Sequence, residues 1–197
     1  MDATTTPYPH AVAATLRRWR ALRRIKQSHA AELFGVSQST VSRWEAGTLT
    51  IGAEDLARIE PWLVARLDSP ADGALARLVN FNALPVHLVC DLTHRLLACS
   101  PSRAAEFCAP VSTLMGKSLW PFATEAIQAS EASLRSAGWG DRPAQSVEFD
   151  TGCNASTLVP IRDSRCRWTR FTLSDGTVAR LVETLERPRT RTRRQRD

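Results

Sequence analysis

Apolar residues in the first third of the chain recur at helical spacing. Leu16, Trp19, Leu22 and Ile25 fall three residues apart with arginines between them, which predicts a helix from about Ala11. A second apolar set, Ala30, Ala31, Leu33 and Phe34, predicts a short second helix. Gly35 supplies the left-handed turn after it, and Ser37 is a suitable N-cap for a third helix over 38–46 that Gly47 stops. At about 100° per residue, Val41 and Trp44 share one side of that helix. Gln38, Ser39, Ser42 and Arg43 lie opposite, a narrow polar ridge without the Glu and Lys of an ordinary solvated face. Residues 51–67 predict further helix, with Leu56, Ile59, Leu63 and Leu67 on its buried side and a break or kink at Pro61.

The pattern then changes. DSPADG (68–73) has turn chemistry and predicts a boundary, followed by a short helix over 74–81. Residues 85–90 and 95–100 predict strands joined by a turn at Asp91–His94. Residues 101–137 predict a mostly helical middle. Further strands are expected over 145–150, 156–161, 166–173 and 177–185, with hairpin turns at Asp163-Ser164 and Asp175-Gly176. This is an α+β order with an antiparallel sheet, preceded by an all-α domain. The expected organisation is a flexible N-terminus (1–10), a helical domain (11–67), a linker with a short helix (68–84), an α+β domain (85–185) and a disordered Arg-rich tail (186–197).

Charge sharpens the picture. The net charge is +6, and the excess sits at the two ends. Residues 15–26 carry five Arg and one Lys with no acid, and residues 187–197 carry six Arg against one Asp. A polyanionic partner follows, nucleic acid or an anionic surface. No apolar run approaches the roughly 20 residues of a membrane helix. The first ten residues do not read as a secretory signal, so a cytoplasmic location without a membrane partner is expected. The five cysteines, Cys90, Cys99, Cys108, Cys153 and Cys166, lack C-x-x-C spacing, which argues against a disulfide framework or zinc finger. They are expected to act as small hydrophobes.

The segment LRRWRALRRIKQSHAAELFGVSQSTVSRWEAG (16–47) resembles, without gaps, the Cro/C1-type (XRE-type) helix-turn-helix of phage repressors and many bacterial regulators. The resemblance implies a lambda-repressor-like domain that reads double-stranded DNA as a homodimer. It places Gln27 at a phosphate contact and Ala31 at the close approach of the second and third helices. The DNA-binding set it implies is Gln27, Ser37, Gln38, Ser39, Thr40, Ser42 and Arg43, with Arg17 and Lys26 gripping phosphates beside Arg18, Arg23 and Arg24. Arg20 and Glu45 match a pair that braces the first helix against the third. Two residues depart from the family: Lys26 stands where an N-cap Ser or Thr is usual, and Ala30 where Leu is usual. In chemical terms Gln38 suits adenine and Arg43 suits guanine, each bidentately.

The segments VCDLTHRLLACSPSRAAEF (89–107) and LMGKSLWPF (114–122) resemble the first hairpin and following helices of PAS-like sensor domains. That implies dimerisation and leaves room for a small-molecule ligand. No cofactor is expected. PAS-type haem sites place a His in the helical middle, and none follows His94; the flavin-adduct Asn-Cys-Arg run is also missing. His87, Cys90, His94 and Cys99 cluster, yet His87 and Cys90 are three apart and face opposite sides of a strand. A surface His and a core Cys are expected there, and no metal.

The function expected is therefore a non-enzymatic, homodimeric transcriptional regulator of bacterial type, acting as a repressor. An antitoxin that represses its own operon is compatible with the same features. A self-cleaving phage-type repressor would need a Ser-Lys dyad. The chain has two lysines, Lys26 and Lys117, and Lys117 has no suitably spaced strand serine ahead of it.

Overall fold

The computed structural model describes residues 9–134, 139 and 146–185. The expected flexibility of residues 1–8 and disorder of 186–197 lie outside the described residues, as do the last residues of the helical middle.

Five helices come first: α1 (Pro9–Leu22), α2 (Gln27–Phe34), α3 (Gln38–Glu45), α4 (Ala53–Leu63) and α5 (Pro70–Asn80). Helix α1 starts two residues ahead of the expected Ala11. Leu16 and Trp19 are fully buried, and Trp19 packs on Phe34 at 5.6 Å and on Trp62 at 6.1 Å. Gly35 closes α2 at φ 65°, a left-handed geometry that costs other residues roughly 1–2 kcal/mol. Pro61 lies inside α4 without ending it; the helix stops two residues later at Leu63. Ile59 and Leu63 are buried, whereas Leu56 and Leu67 are half-buried.

Helix α5 corrects the expected turn at 68–73. Ser69 is its N-cap and accepts from the Asp72 N–H at 3.0 Å, Pro70 opens the first turn, and the Ser69 hydroxyl donates to Asp72 at 2.7 Å. Ser-Pro-x-Asp is turn chemistry that equally starts a helix, because a fixed φ and a capping hydroxyl serve both.

The remaining elements are β1 (Val86–Cys90), β2 (Leu96–Cys99), α6 (Pro101–Ala104), α7 (Val111–Leu114), a 3-10 turn (Trp120–Phe122), α8 (Glu125–Leu134), β3 (Ser146–Asp150), β4 (Arg165–Thr172) and β5 (Val178–Leu185). The five strands form one antiparallel sheet in the order β2-β1-β5-β4-β3. Asp175-Gly176 does turn β4 into β5, with Gly176 at φ 85°.

No strand occupies 156–161, so the hairpin expected at Asp163-Ser164 is absent too. Asn154 organises this stretch instead. Its side-chain amide donates to the carbonyls of Phe122 at 2.8 Å and Val159 at 3.1 Å, and its carbonyl accepts from the Ile161 N–H at 2.8 Å. The Ser156 hydroxyl accepts from the N–H groups of Leu158 and Val159. Side chains thus satisfy the backbone that a ladder would have used, and Pro160 has no N–H to offer one.

The sheet buries both faces around β1 and β5. On one face, Val86, Leu88, Cys90 and Ala179 join a cluster that runs on into Leu16, Trp44, Ile59 and Ala65 of the helical unit. On the other, His87, Val89, Cys166, Trp168, Arg180 and Val182 look toward α6–α8.

Candidate nucleic-acid interface

The third helix is held from beneath and open above. Val41 and Trp44 are essentially inaccessible, while Gln38, Ser39 and Arg43 are exposed, and Ser42 and Thr40 are half-buried. The helix begins on a side-chain cap: the Ser37 hydroxyl accepts from the Thr40 N–H at 3.1 Å. That hydroxyl also lies 2.8 Å from those of Ser39 and Thr40.

A polar chain fixes this helix against α1 and α2. Arg20 makes a bidentate pair with Glu45 at 2.7 and 2.9 Å and donates to the Ile25 carbonyl at 3.0 Å. Gln27 donates to the same carboxylate at 2.9 Å, and its carbonyl accepts from the Gln38 amide at 2.8 Å. Burial pushes the Glu45 carboxyl up, but the hydrogen bonds from Arg20 and Gln27 and the charges of Arg20 and Arg17 outweigh it, so it is held below its ordinary range. The Arg20 guanidinium is raised in turn by its hydrogen bond to Glu45. Gln38 therefore sits on the ridge with one end already oriented.

The cations are distributed unevenly. Lys26 is exposed at the start of α2 and supplies no side-chain cap. Arg17 donates to the Glu45 carbonyl, at the opposite end of α3 from Gln38. Arg23, expected among the phosphate-gripping residues, is turned elsewhere. Its guanidinium lies over Trp19 at 5.2 Å and donates to the Asp175 carbonyl at 3.1 Å, tying α1 to the β4–β5 hairpin.

Behind the sheet lies a cavity of about 90 Å³. Its walls are mainly apolar, including Val89, Phe122, Ile127, Val159 and Val182. Sequence reasoning missed the charge cluster at its edge. Arg180 is buried between Trp168 at 4.4 Å and Trp139 at 5.3 Å, and pairs with Asp91 at 2.6 Å and Glu131 at 2.5 Å. Asp91 also accepts from the Trp139 indole N–H at 3.1 Å. Burial pushes Glu131 up, but the charge of Arg180 and its hydrogen bonds hold it down at about 2. The available signal was Arg180 itself, an arginine on the same side of a strand as Val182.

His87 corrects the expectation of a surface histidine. It is only 6% exposed and lines the cavity, while Cys90 is buried on the opposite face of β1. Burial first, then the Arg103 charge, hold the His87 imidazole well below its ordinary pKa, so it is neutral at pH 7. Burial pushes the Cys166 thiol up to about 12 and Cys99 up to about 11, as small hydrophobes rather than thiolates. Among the described residues, no three His, Cys, Asp or Glu side chains converge as a metal site requires, and no helix is long and apolar enough to cross a membrane.

A helix-turn-helix family model matches residues 16–60. No curated protein matches the chain. Among solved structures, the PAS domain of an HTR-like protein from Haloarcula marismortui is 16% identical; the match covers 58% of this chain and 90% of that one, with a TM-score of 0.42. The d2 variant of RsLOV is 12% identical, with 63% and 71% covered and a TM-score of 0.45. The PAS domain of BvgS from Bordetella pertussis is 12% identical, with 60% and 86% covered and a TM-score of 0.37. Residues 16–60, with their capped third helix and left-handed turn, are a helix-turn-helix of the Cro/C1 type, and they stand ahead of an α+β domain built on a five-stranded antiparallel sheet.

Proposed function

We propose that this chain is a sequence-specific, double-stranded-DNA-binding transcriptional regulator that works as a homodimeric repressor in the bacterial cytoplasm. The observation that carries this reading is the exposed ridge of Gln38, Ser39 and Arg43 above the buried Val41 and Trp44. A helix so capped and so narrow on its outer side fits a major groove about 12 Å wide. Gln38 and Arg43 read bases. Gln27, Ser37, Ser39, Thr40 and Ser42 contact the backbone or adjacent bases, and Lys26 and Arg17 add phosphate contacts. Arg20 and Glu45 brace the ridge without touching DNA. The reading unit is 11–67 and the sensing unit 85–185.

The second unit acts as a PAS-like domain that dimerises and senses a small molecule. Its order of elements, two strands, a helical middle and three further strands, is the one that resemblance implies, and it encloses a cavity. Leu78 in the last turns of α5, and Phe81 and Leu84 just after it, are 72%, 84% and 63% exposed, apolar side chains suited to a second copy. The chain is not an enzyme in this reading. Lys117 lies exposed, outside the enclosed setting that a Ser-Lys self-cleavage site needs. Footprinting on genomic DNA should protect two half-sites about one helical turn apart. Uniform protection, with no preferred sequence, would refute the reading.

A further inference from the structure

Three polar atoms at the cavity are buried without a hydrogen-bond partner among the described residues: His94 Nε2, which faces the Glu131 carboxylate at 3.5 Å, and, at the β1–α6 end, His87 Nδ1 and Arg103 Nε. A buried donor or acceptor left unmade costs about 1–3 kcal/mol, more for a charged group, so such atoms call for a partner. His87 and Arg103 line the same cavity and lie close enough for the Arg103 charge to act on the His87 ring. Arg103 is otherwise held by Glu106 and lies over Phe107 at 5.1 Å.

The other charge at the cavity is already balanced. Arg180 is saturated by Asp91, Glu131 and two indole rings, so it offers nothing further to an anion. At the β1–α6 end the Arg103 guanidinium N–H requires an acceptor, and the neutral His87 ring offers Nδ1, which requires one too in its Nδ1–H tautomer. Beyond them the wall is Val89, Leu119, Phe122, Ile127, Val159 and Val182.

We propose that the cavity binds a small monocarboxylic acid, its carboxylate accepting from Arg103 Nε–H and His87 Nδ1–H and its hydrocarbon body lying on the apolar wall. A carboxylate has two acceptor oxygens for two donors and accepts a charge-assisted hydrogen bond from the one guanidinium N–H that Glu106 leaves unmet, a stronger bond than an amide or alcohol makes. Size limits the body. At about 90 Å³ the cavity is smaller than the roughly 150 Å³ that accepts benzene, so a short aliphatic acid with fewer heavy atoms than benzene, such as propanoate, fits and an aromatic one does not. This inference rests on reading the α+β domain as the sensing half.

The test is calorimetric titration and thermal melting of the full chain without DNA. The probes are propanoate, propanamide and 1-propanol. The acid should bind saturably and raise Tm, with the amide and alcohol weaker by about tenfold or more. Arg103→Gln and His87→Leu should each weaken the acid by about tenfold or more. His87→Leu should also raise Tm of the ligand-free protein, because it removes an unsatisfied buried polar group; a purely structural imidazole would give the opposite. The proposal is overturned by no saturable binding up to about 10 mM acid, by equal affinity for acid and amide, by full affinity in the variants, or by a lower ligand-free Tm in His87→Leu. Failure here leaves the DNA-binding reading standing, since no duplex is present. A protein that binds acid but no duplex refutes only the other.

Discussion

Glu131 shows at the scale of one residue how an interior charge is kept ionised. Its carboxyl titrates at about 2 beside Arg180, against an ordinary value of 4.5 in the unfolded chain. A depressed folded pKa means the stabilisation is complete above about pH 4.5 and is lost as pH falls through 2. Glu131→Gln should therefore cost about 3 kcal/mol at pH 7, by leaving Arg180 half-paired, and melting curves of the variant and the wild type should converge as pH drops below 4.5. A gap that stays constant with pH would mean that Glu131 is not the titrating partner. The cluster was poorly legible in the sequence. Arg180 stands 89 residues from Asp91 and 49 from Glu131, and no local pattern links them. The Arg20–Glu45 pair was legible because its residues sit in a motif whose spacing is nearly invariant to the rest of the fold.

Among the elements, the α2–turn–α3 unit was read almost to the residue. Its signals are local: a left-handed glycine at 35, a capping serine at 37 and an apolar pair beneath a polar ridge. Gly35→Ala should destabilise by roughly 1–2 kcal/mol in chemical denaturation. The strain would be conformational, since an added Cβ meets only the Arg58 guanidinium at 3.5 Å. Helix α5 and the 151–164 connection were misread because their deciding partners are distant. Asp72 both closes the α5 capping box and accepts from the Ser174 N–H at 3.2 Å, clamping the helix to the β4–β5 hairpin. Asp72→Ala should lose about 1–3 kcal/mol, more than a surface cap alone. A loss below 0.5 kcal/mol, on the order of an exposed substitution, would show that the clamp is idle.

For the whole molecule, the two units share one apolar cluster. Ile59 and Leu63 of α4, with Ala65 after them, belong to the same cluster as Val86, Leu88 and Cys90 on β1, and the Ala65 N–H approaches the Cys90 sulfur at 3.4 Å. Strand β5 touches both sides: Arg180 and Val182 line the cavity, while Ala179 belongs to the shared cluster. Occupancy of the cavity is thus separated from the helical unit by the thickness of one sheet. A saturating ligand should change operator affinity by about fivefold or more in a fluorescence titration; unchanged affinity would mean that the sheet does not transmit. The order of the helical and α+β units and the exposed polar ridge of α3 were legible in the sequence, but this docking was not, because periodicity marks a buried face without naming what covers it.

The most direct test of the central claim is the ratio of specific to non-specific duplex affinity for the full chain and for Gln38→Ala and Arg43→Ala at matched salt. Each variant should keep its melting temperature and its non-specific binding, and should lose about 1–3 kcal/mol of discrimination at its own base position. An unchanged ratio in both variants would contradict the assignment of this ridge as the surface that reads DNA.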